Sequence, residues 1–424
     1  MLFSSLKPGH KAFINIRVGL CNPLTLLPLF IYFLLPLVGH AADWSLNPGI
    51  EAMSEYNDNI LFSHKNKIDD FIARIKPRLQ ILGRTEKTLF SLDSIVAGEK
   101  YFDNGRLDTV NTYNNLLYRH NWNPKFLTSL KVNFIKDETL EEELEAAGRP
   151  GVRKKRYRYG FDASGQYNLS DTFSVTLGGG PRFNDYPEGP YSDLRSWQVY
   201  LDPAFALDPI NTVGLFINYD YADYKDSSLI KTFSSSLYYR RELSETAYFV
   251  LGGGYRYTWS RYDSWHFNYY IDPSTNRIVA FPVKEKRSSG DGGFIFNFEL
   301  DNSWTDRFAT VATAGREHYN SVEARSTDLT YARVTFKYRL TETISTNLRF
   351  SYDTTDETGP WSVDHNNIRF EPFLKWRISP NLSLKLGGSY RYDREDTKHS
   401  NYDIQRYRGW LSISYRYPRF FSNH

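Results

Sequence analysis

Cations stand at every second place in several stretches of this chain. Arg74, Lys76 and Arg78 alternate with Ala73, Ile75 and Leu79, although Ile72 and Leu82 interrupt the polar row. Arg158, Arg182, Arg240 and Arg256 hold the polar parity of later segments, followed by Arg333, Lys337, Arg339 and Arg349. Arg369, Lys375, Arg377, Lys385, Arg391, Arg408 and Arg416 do the same near the end. Acids on this parity are fewer: Asp93, Asp162, Asp202, Asp220, Glu299, Asp301, Asp353 and Glu371. Rows of guanidinium and ammonium groups along a wall attract and select anions through their field. The plainer alternative is that they form ladders with these acids and stiffen the wall.

Other chemistries have less to stand on. A hydrolase needs a nucleophile within reach of a base, and His64, His120, His266, His318, His365, His399 and His424 sit in loops or near segment ends with no adjacent Ser or Asp pattern. No spacing suits a metal, and no cofactor is implied. The glycine runs at 178–180 and 252–254 lie inside apolar-periodic segments, where they relieve crowding at bends rather than cradle phosphate. Asn57-Asp58-Asn59 reads as an Asx-rich turn before it reads as a cation site.

The elements that hold these residues follow from period-two patterning. In RYRYGFDASGQYNL (156–169), Tyr157, Tyr159, Phe161, Ala163, Tyr167 and Leu169 share one parity. Arg156, Arg158, Asp162, Ser164, Gln166 and Asn168 share the other. A strand sends those sets to opposite faces. About eighteen such segments recur, with sixteen as the alternative count, each near the roughly 9 to 11 residues that a tilted strand needs to cross a bilayer. Tyr 32, Phe 29 and Trp 9 coexist with a mean hydropathy of -0.53, which is what dispersed apolar residues produce. After the leader no apolar run is long enough for a spanning helix, so a lipid-embedded chain must close as a barrel to pair its amides.

Tight breaks separate the segments: TET (341–343), LSDTF (169–173), LSETA (243–247), WTDRF (304–308), ISPNL (378–382) and, more loosely, WNPKF (122–126). Their Ser, Thr, Asp, Asn and Pro residues favour reversing turns. Between them come longer polar connections at 55–69, 99–110, 136–155, 185–195, 222–231, 261–291, 317–327, 354–366 and 393–404. Short turns on one rim and long loops on the other indicate an all-β transmembrane, antiparallel up-and-down barrel with the short turns in the periplasm. A soluble propeller or sandwich would alternate as well, but it would not place Tyr and Trp near strand ends as an interfacial girdle.

Residues 1–41 read as a secretory signal: Lys7, Lys11 and Arg17 precede an apolar run from Leu26 to Val38, with cleavage after Ala41. Residues 42–424 form the barrel on this reading. Cys21, the one cysteine, falls in the leader, so the barrel has no thiol. Without the three leader cations, Lys+Arg equal Asp+Glu at 49 each, and the basic excess that nucleic-acid binding calls for is missing. The acidic run DETLEEELE (137–145), followed by RPGVRKKR, is expected as a solvated surface loop, with a charged lid or partner site as the alternative. Segment 261–291, carrying Trp265, His266, Phe267, Tyr269 and Tyr270, extends the wall as a hairpin or folds inward as a constriction.

WSLNPGIEAMSEYNDNILF (44–62) and DDFIARIKPRLQIL (69–82) resemble the opening of β-barrel porin family 2, in the element Glu55-Tyr56-Asn57-Asp58-Asn59-Ile60 and in Ile75-Lys76-Pro77. The resemblance covers about 40 residues and is only architectural beyond them. It implies a Gram-negative outer-membrane protein of a group linked to exopolysaccharide clusters, some with the PEP-CTERM sorting system, and no catalytic residues. The C-terminal aromatic signal departs from the pattern, since Ser422-Asn423-His424 follow Tyr415, Tyr417 and Phe421. The combined expectation is a channel or export component for exopolysaccharide or another anionic or glycan cargo. Its partners would be outer-membrane lipid, the polysaccharide or anionic solute, and export-complex proteins. The alternative is a structural or adhesive barrel with a closed lumen, whose loops bind partners.

Overall fold

The computed structural model describes residues 43–147, 153–189, 191–225, 227–272, 277–320, 326–357, 363–397 and 401–417. The expected leader and Phe421 lie outside the described residues. The strands in chain order are β1 (Asp43–Asn57), β2 (Asp70–Arg84), β3 (Thr88–Tyr101), β4 (Thr109–Asn123), β5 (Phe126–Glu138) and β6 (Lys155–Asn168). They continue as β7 (Phe173–Asp185), β8 (Leu194–Asp208), β9 (Asn211–Tyr224), β10 (Ser228–Ser244), β11 (Ala247–Asp272) and β12 (Arg277–Ser303). The last six are β13 (Phe308–Asn320), β14 (Ser326–Arg339), β15 (Ile344–Glu357), β16 (Val363–Arg377), β17 (Leu382–Thr397) and β18 (Asn401–Arg416). One α-helix, α1 (Thr139–Ala147), lies between β5 and β6, and a 3₁₀ turn spans Gly105–Leu107.

Every strand pairs antiparallel with its sequence neighbours, and β1 also pairs with β18 from Gly49↔Arg416 to Asn57↔Arg408. The sheet is therefore a closed barrel of 18 strands, which settles the count against sixteen. Closure leaves no unpaired edge, as a structure in hydrocarbon requires. The faces segregate by parity: Leu177, Leu251 and Leu386 lie bare on the outside, and Leu237 keeps 68% of its surface exposed. Large aliphatic groups left bare around a whole wall make this a transmembrane barrel with a lipid-facing band. Aromatics border the band at both ends. Tyr56 and Phe71 meet at 5.0 Å, and Tyr390 and Tyr407 at 4.9 Å, near the long-loop rim. Trp122, Trp304 and Trp376 stand near the short turns.

The short turns are held by the side chains that the sequence singles out. Thr341 Oγ1 accepts the backbone N–H groups of Thr343 and Ile344 at 3.3 and 2.9 Å. Ser170, Thr305 and Ser379 repeat this arrangement, and Asn123 Oδ1 accepts from Lys125 N at 2.9 Å. Two further turns, at Thr85 and Asp208, work the same way.

The opposite rim departs from expectation. Segments 222–231, 261–291, 317–327, 354–366 and 393–404 are strand for most of their described length, so they raise the wall instead of looping over it. The β11–β12 hairpin pairs as far as Asp272↔Arg277, which favours the extended hairpin over an inward constriction there. The side chains of Trp265, His266, Phe267, Tyr269 and Tyr270 lie outside the described residues.

Candidate functional site

The acidic run 137–145 is not a solvated surface loop. It finishes β5 and then turns inward as α1. Glu143 accepts from Arg156 of β6 at 3.0 Å and from the Tyr319 hydroxyl of β13. Glu141 takes Arg406 of β18 at 2.7 Å and Arg408 at 3.6 Å. Around the ring β18, β6 and β13 are separated by six, seven and five strands, so a helix touching all three must cross the lumen. Leu140 and Leu144, four residues apart on one helix face, pack with Phe62 and Ile404 in a small buried cluster. Burial raises the tendency of Glu141 to protonate, but Arg406 and then Arg408 outweigh it and hold the carboxyl well below its ordinary range.

A second element leans into the same space. The pairing of β12 with β13 ends at Phe296↔Arg316, while β13 and β14 remain paired to Asn320↔Ser326. Beyond that point β13 parts from β12 and leans inward with β14, which stays paired with β15 as far as Thr327↔Glu357; Ser326, Thr327, Asp328 and Leu329 are all buried, which alternation along a simple wall does not allow. Asn320 Nδ2 donates to Asp220 of β9 at 3.2 Å, and Asp328 accepts from Arg256 of β11 and, at 2.9 Å, from Arg316. Helix and hairpin thus meet over the lumen at Glu143 and Tyr319.

The basic residues lie on the parity opposite the bare apolar rows, and most have partners. Arg74 contacts Glu55 at 2.6 Å and Glu99 at 3.3 Å, and Arg78 forms a two-pronged pair with Asp93 at 2.7 Å. Lys76 and Lys385 share Glu51 at 3.6 and 3.3 Å. Arg158 pairs with Asp137, Arg369 with Glu371, and Arg240 with Glu242 at 2.7 Å. Arg256 contacts Asp291 at 2.8 Å as well as Asp328, and Arg333 contacts Asp353 at 2.7 Å. Arg391 is buried opposite Arg369 in register. The inner face therefore carries more acid than the alternating rows suggest: Glu55, Glu99, Asp137 and Asp291 come from segments expected as loops, and Glu51 of β1 and Asp328 of β14 add to them. Among the described residues Lys337, Arg349 and Lys375 form no ion pair, and they sit on adjacent strands β14, β15 and β16. Lys375 faces Lys385 in register, and Lys385 is itself held by Glu51.

Beside α1 and the hairpin, the wall from β4 to β12 lines a chamber of about 780 Å³. Its lining mixes amides and hydroxyls with charged and apolar groups. Arg182 donates to Gln198 Oε1 at 2.6 Å, and Gln198 in turn donates to Asn218 Oδ1 at 2.9 Å. Inward glycines let these long polar groups lie flat: a Cβ on Gly160 would stand 2.5 Å from Asn133 Nδ2, and one on Gly252 would strike Asn297. The glycine run 178–180 borders an interruption of the β6–β7 pairing: Gly178 and Gly179 pair with Ser164 and Ala163, and Gly180 falls in the gap before Gly160↔Arg182.

Histidine chemistry gains one feature. His365 Nδ1 lies 3.2 Å from Asp393 Oδ2 in a buried pair, although no described hydroxyl bonds to the ring. Asn57 Oδ1 accepts from Asn59 N at 3.0 Å, so the Asn57-Asp58-Asn59 element is an Asx-type turn. No group of His, Cys, Asp and Glu among the described residues is arranged to hold a metal ion.

No family model matches the chain, and no curated protein matches it either. Among solved structures it is similar to OpdO of Pseudomonas aeruginosa, at 13% identity over 89% of this chain and 98% of that one, with a TM-score of 0.42. It is also similar to OccK2 (OpdF) of the same organism in complex with glucuronate, at 9% identity over 88% and 98%, with a TM-score of 0.44. OpdK of P. aeruginosa with vanillate gives 9% identity over 89% and 99%, with a TM-score of 0.43. These likenesses are too distant to carry an argument, and the barrel rests on this chain's own closed sheet.

Proposed function

We propose that this protein is a channel of the Gram-negative outer membrane, constricted by α1, that favours small anionic or acidic-glycan solutes. The observation that carries this reading is that Lys337, Arg349 and Lys375 form no ion pair among the described residues on three adjacent strands, with Glu371, which faces Arg349, held by Arg369, on an inner wall whose other cations are mostly neutralised by acids. Unpaired cations along a water-filled wall raise the local anion concentration and repel cations. Arg182 lines the same pore without an ion pair among the described residues, and the remaining basic candidates, Arg74, Lys76, Arg78, Arg158, Arg240, Arg256, Arg333, Arg369, Lys385 and Arg391, line it with smaller effect on its field. Residues 1–41 serve as the export signal. The finer role, exopolysaccharide export within β-barrel porin family 2 and together with export-complex proteins, calls for α1 to swing aside, because a polymer chain cannot share the lumen with a helix that crosses it.

A closed adhesive barrel is the second reading, favoured by the helix across the lumen and by the extended β11–β12 hairpin. Reversal potentials of the folded protein in planar bilayers under a salt gradient separate the two. Anion preference that falls in the Lys337→Glu, Lys375→Glu double variant supports the channel. Cation preference overturns the field argument, and absence of any current overturns the channel.

A further inference from the structure

We infer that the chamber beside α1 is a saturable binding site for an acidic sugar of one or two rings, of the hexuronate class. The inference rests on the channel reading and names the solute that this part of the lumen recognises. A volume of about 780 Å³ falls within the roughly 300–1,000 Å³ typical of small-molecule sites. Of the chamber's guanidinium groups, Arg156 is bound by Asp137 and Glu143, Arg158 by Asp137, and Arg256 and Arg316 by Asp328. Arg182 differs from these. It donates to the neutral amide of Gln198, and the nearby acid Asp220 accepts from Asn320 and acts on Arg182 through its field without a direct ion pair. It therefore has both charge and spare N–H donors for a carboxylate.

A guanidinium alone would suit any small anion. The groups around it are more selective. Gln198, Asn218, Ser234 and Ser236 lie on the next three strands, β8, β9 and β10, and line the same cavity. From β7 to β10 this row crosses three strand gaps of about 4.8 Å, the reach of one or two sugar rings. Amides and hydroxyls both donate and accept, which matches sugar hydroxyls, whereas a simple carboxylate or an inorganic anion uses donors only. Phe216 opens onto the cavity and stacks on Tyr200 with centroids 5.9 Å apart and planes inclined by 29°. This aromatic face offers the apolar C–H side of a pyranose a surface that an inorganic ion cannot use.

The test is calorimetric titration of the full folded protein in detergent with digalacturonate, with cellobiose as the neutral disaccharide and acetate as the simple carboxylate. Digalacturonate should give a saturable isotherm, with the two comparison ligands at least tenfold weaker. Arg182→Gln should lower digalacturonate affinity at least tenfold and leave cellobiose unchanged. Gln198→Ala, which keeps the charge of Arg182, should weaken both sugars. Equal affinity for acetate and digalacturonate overturns the inference, as does unchanged digalacturonate binding in folded Arg182→Gln. Conductance measured on the same preparation keeps the two proposals apart: current without saturable binding removes only the acidic-sugar site, and binding without current removes only the channel.

Discussion

Replacing Glu143 with Gln should loosen α1 from the lumen by an amount that the geometry sets. The carboxylate sits at the one point where helix, wall and inward hairpin meet, with Arg156 at 3.0 Å and the Tyr319 hydroxyl against its other oxygen. Both side chains of the Glu143–Arg156 pair are only 4% exposed, so water does not screen the contact. Losing one partner of a buried pair commonly costs about 3 to 5 kcal/mol, because the other charge is left uncompensated. Arg156 is not left so, since Asp137 holds it at 3.0 and 3.1 Å. The loss is then that of hydrogen bonds to a charged group, about 2 kcal/mol, which raises the ratio of undocked to docked helix about thirtyfold. Single-channel recording reads this as a larger fraction of time at high conductance. Arg394→Gln, which removes an exposed rim pair with Asp396 that does not touch α1, is the control and should leave the recording unchanged. A Glu143→Gln trace that matches the wild type, from protein shown to be folded, would refute the assignment of α1 as the constriction.

Further outcomes follow from the same contacts. Leu237→Arg puts a charge in the lipid-facing band and should cost about 2 to 4 kcal/mol in vesicle folding titrations, whereas Ser236→Arg on the inner face should cost far less. Because the Glu141 carboxyl is held below its ordinary value of 4.5, its share of helix docking is complete above that pH and declines as pH falls through the depressed value. Conductance should therefore be flat from pH 7 to pH 5 and rise only in stronger acid; a rise already at pH 6 would contradict this. Thr341→Ala removes the acceptor of two turn amides and should lower barrel stability by about 1 kcal/mol, read as a shift in the urea midpoint.

The barrel was legible in the sequence where lipid imposes asymmetry on a strand. Rows such as Tyr157, Tyr159 and Phe161 against Arg156, Arg158 and Asp162 carry the period of two, and the Ser and Thr turns punctuate them. Where the strands rise beyond the lipid, as in β11 past Trp259, both faces meet water and the alternation that separates strand from loop disappears. Helix α1 was hidden for a different reason. Leu140 and Leu144 gave a faint helical spacing, but what turns the acidic run inward are Arg406, Arg156 and Tyr319, remote in sequence and close only once the barrel has closed. The inner wall was over-read as basic because acids such as Glu55 and Asp137 lie at strand ends near the long-loop rim.

Tethering α1 tests the central claim most directly. The described barrel has no cysteine, so Leu144→Cys with Ile404→Cys, joined by a short bis-maleimide, would pin the helix to β18 at a contact it already makes. The account predicts that the cross-linked protein stays at low conductance even when Glu143→Gln is added, while the same protein without linker fluctuates to higher levels. High conductance that persists with the helix pinned would mean that α1 does not lie across the path of the ions.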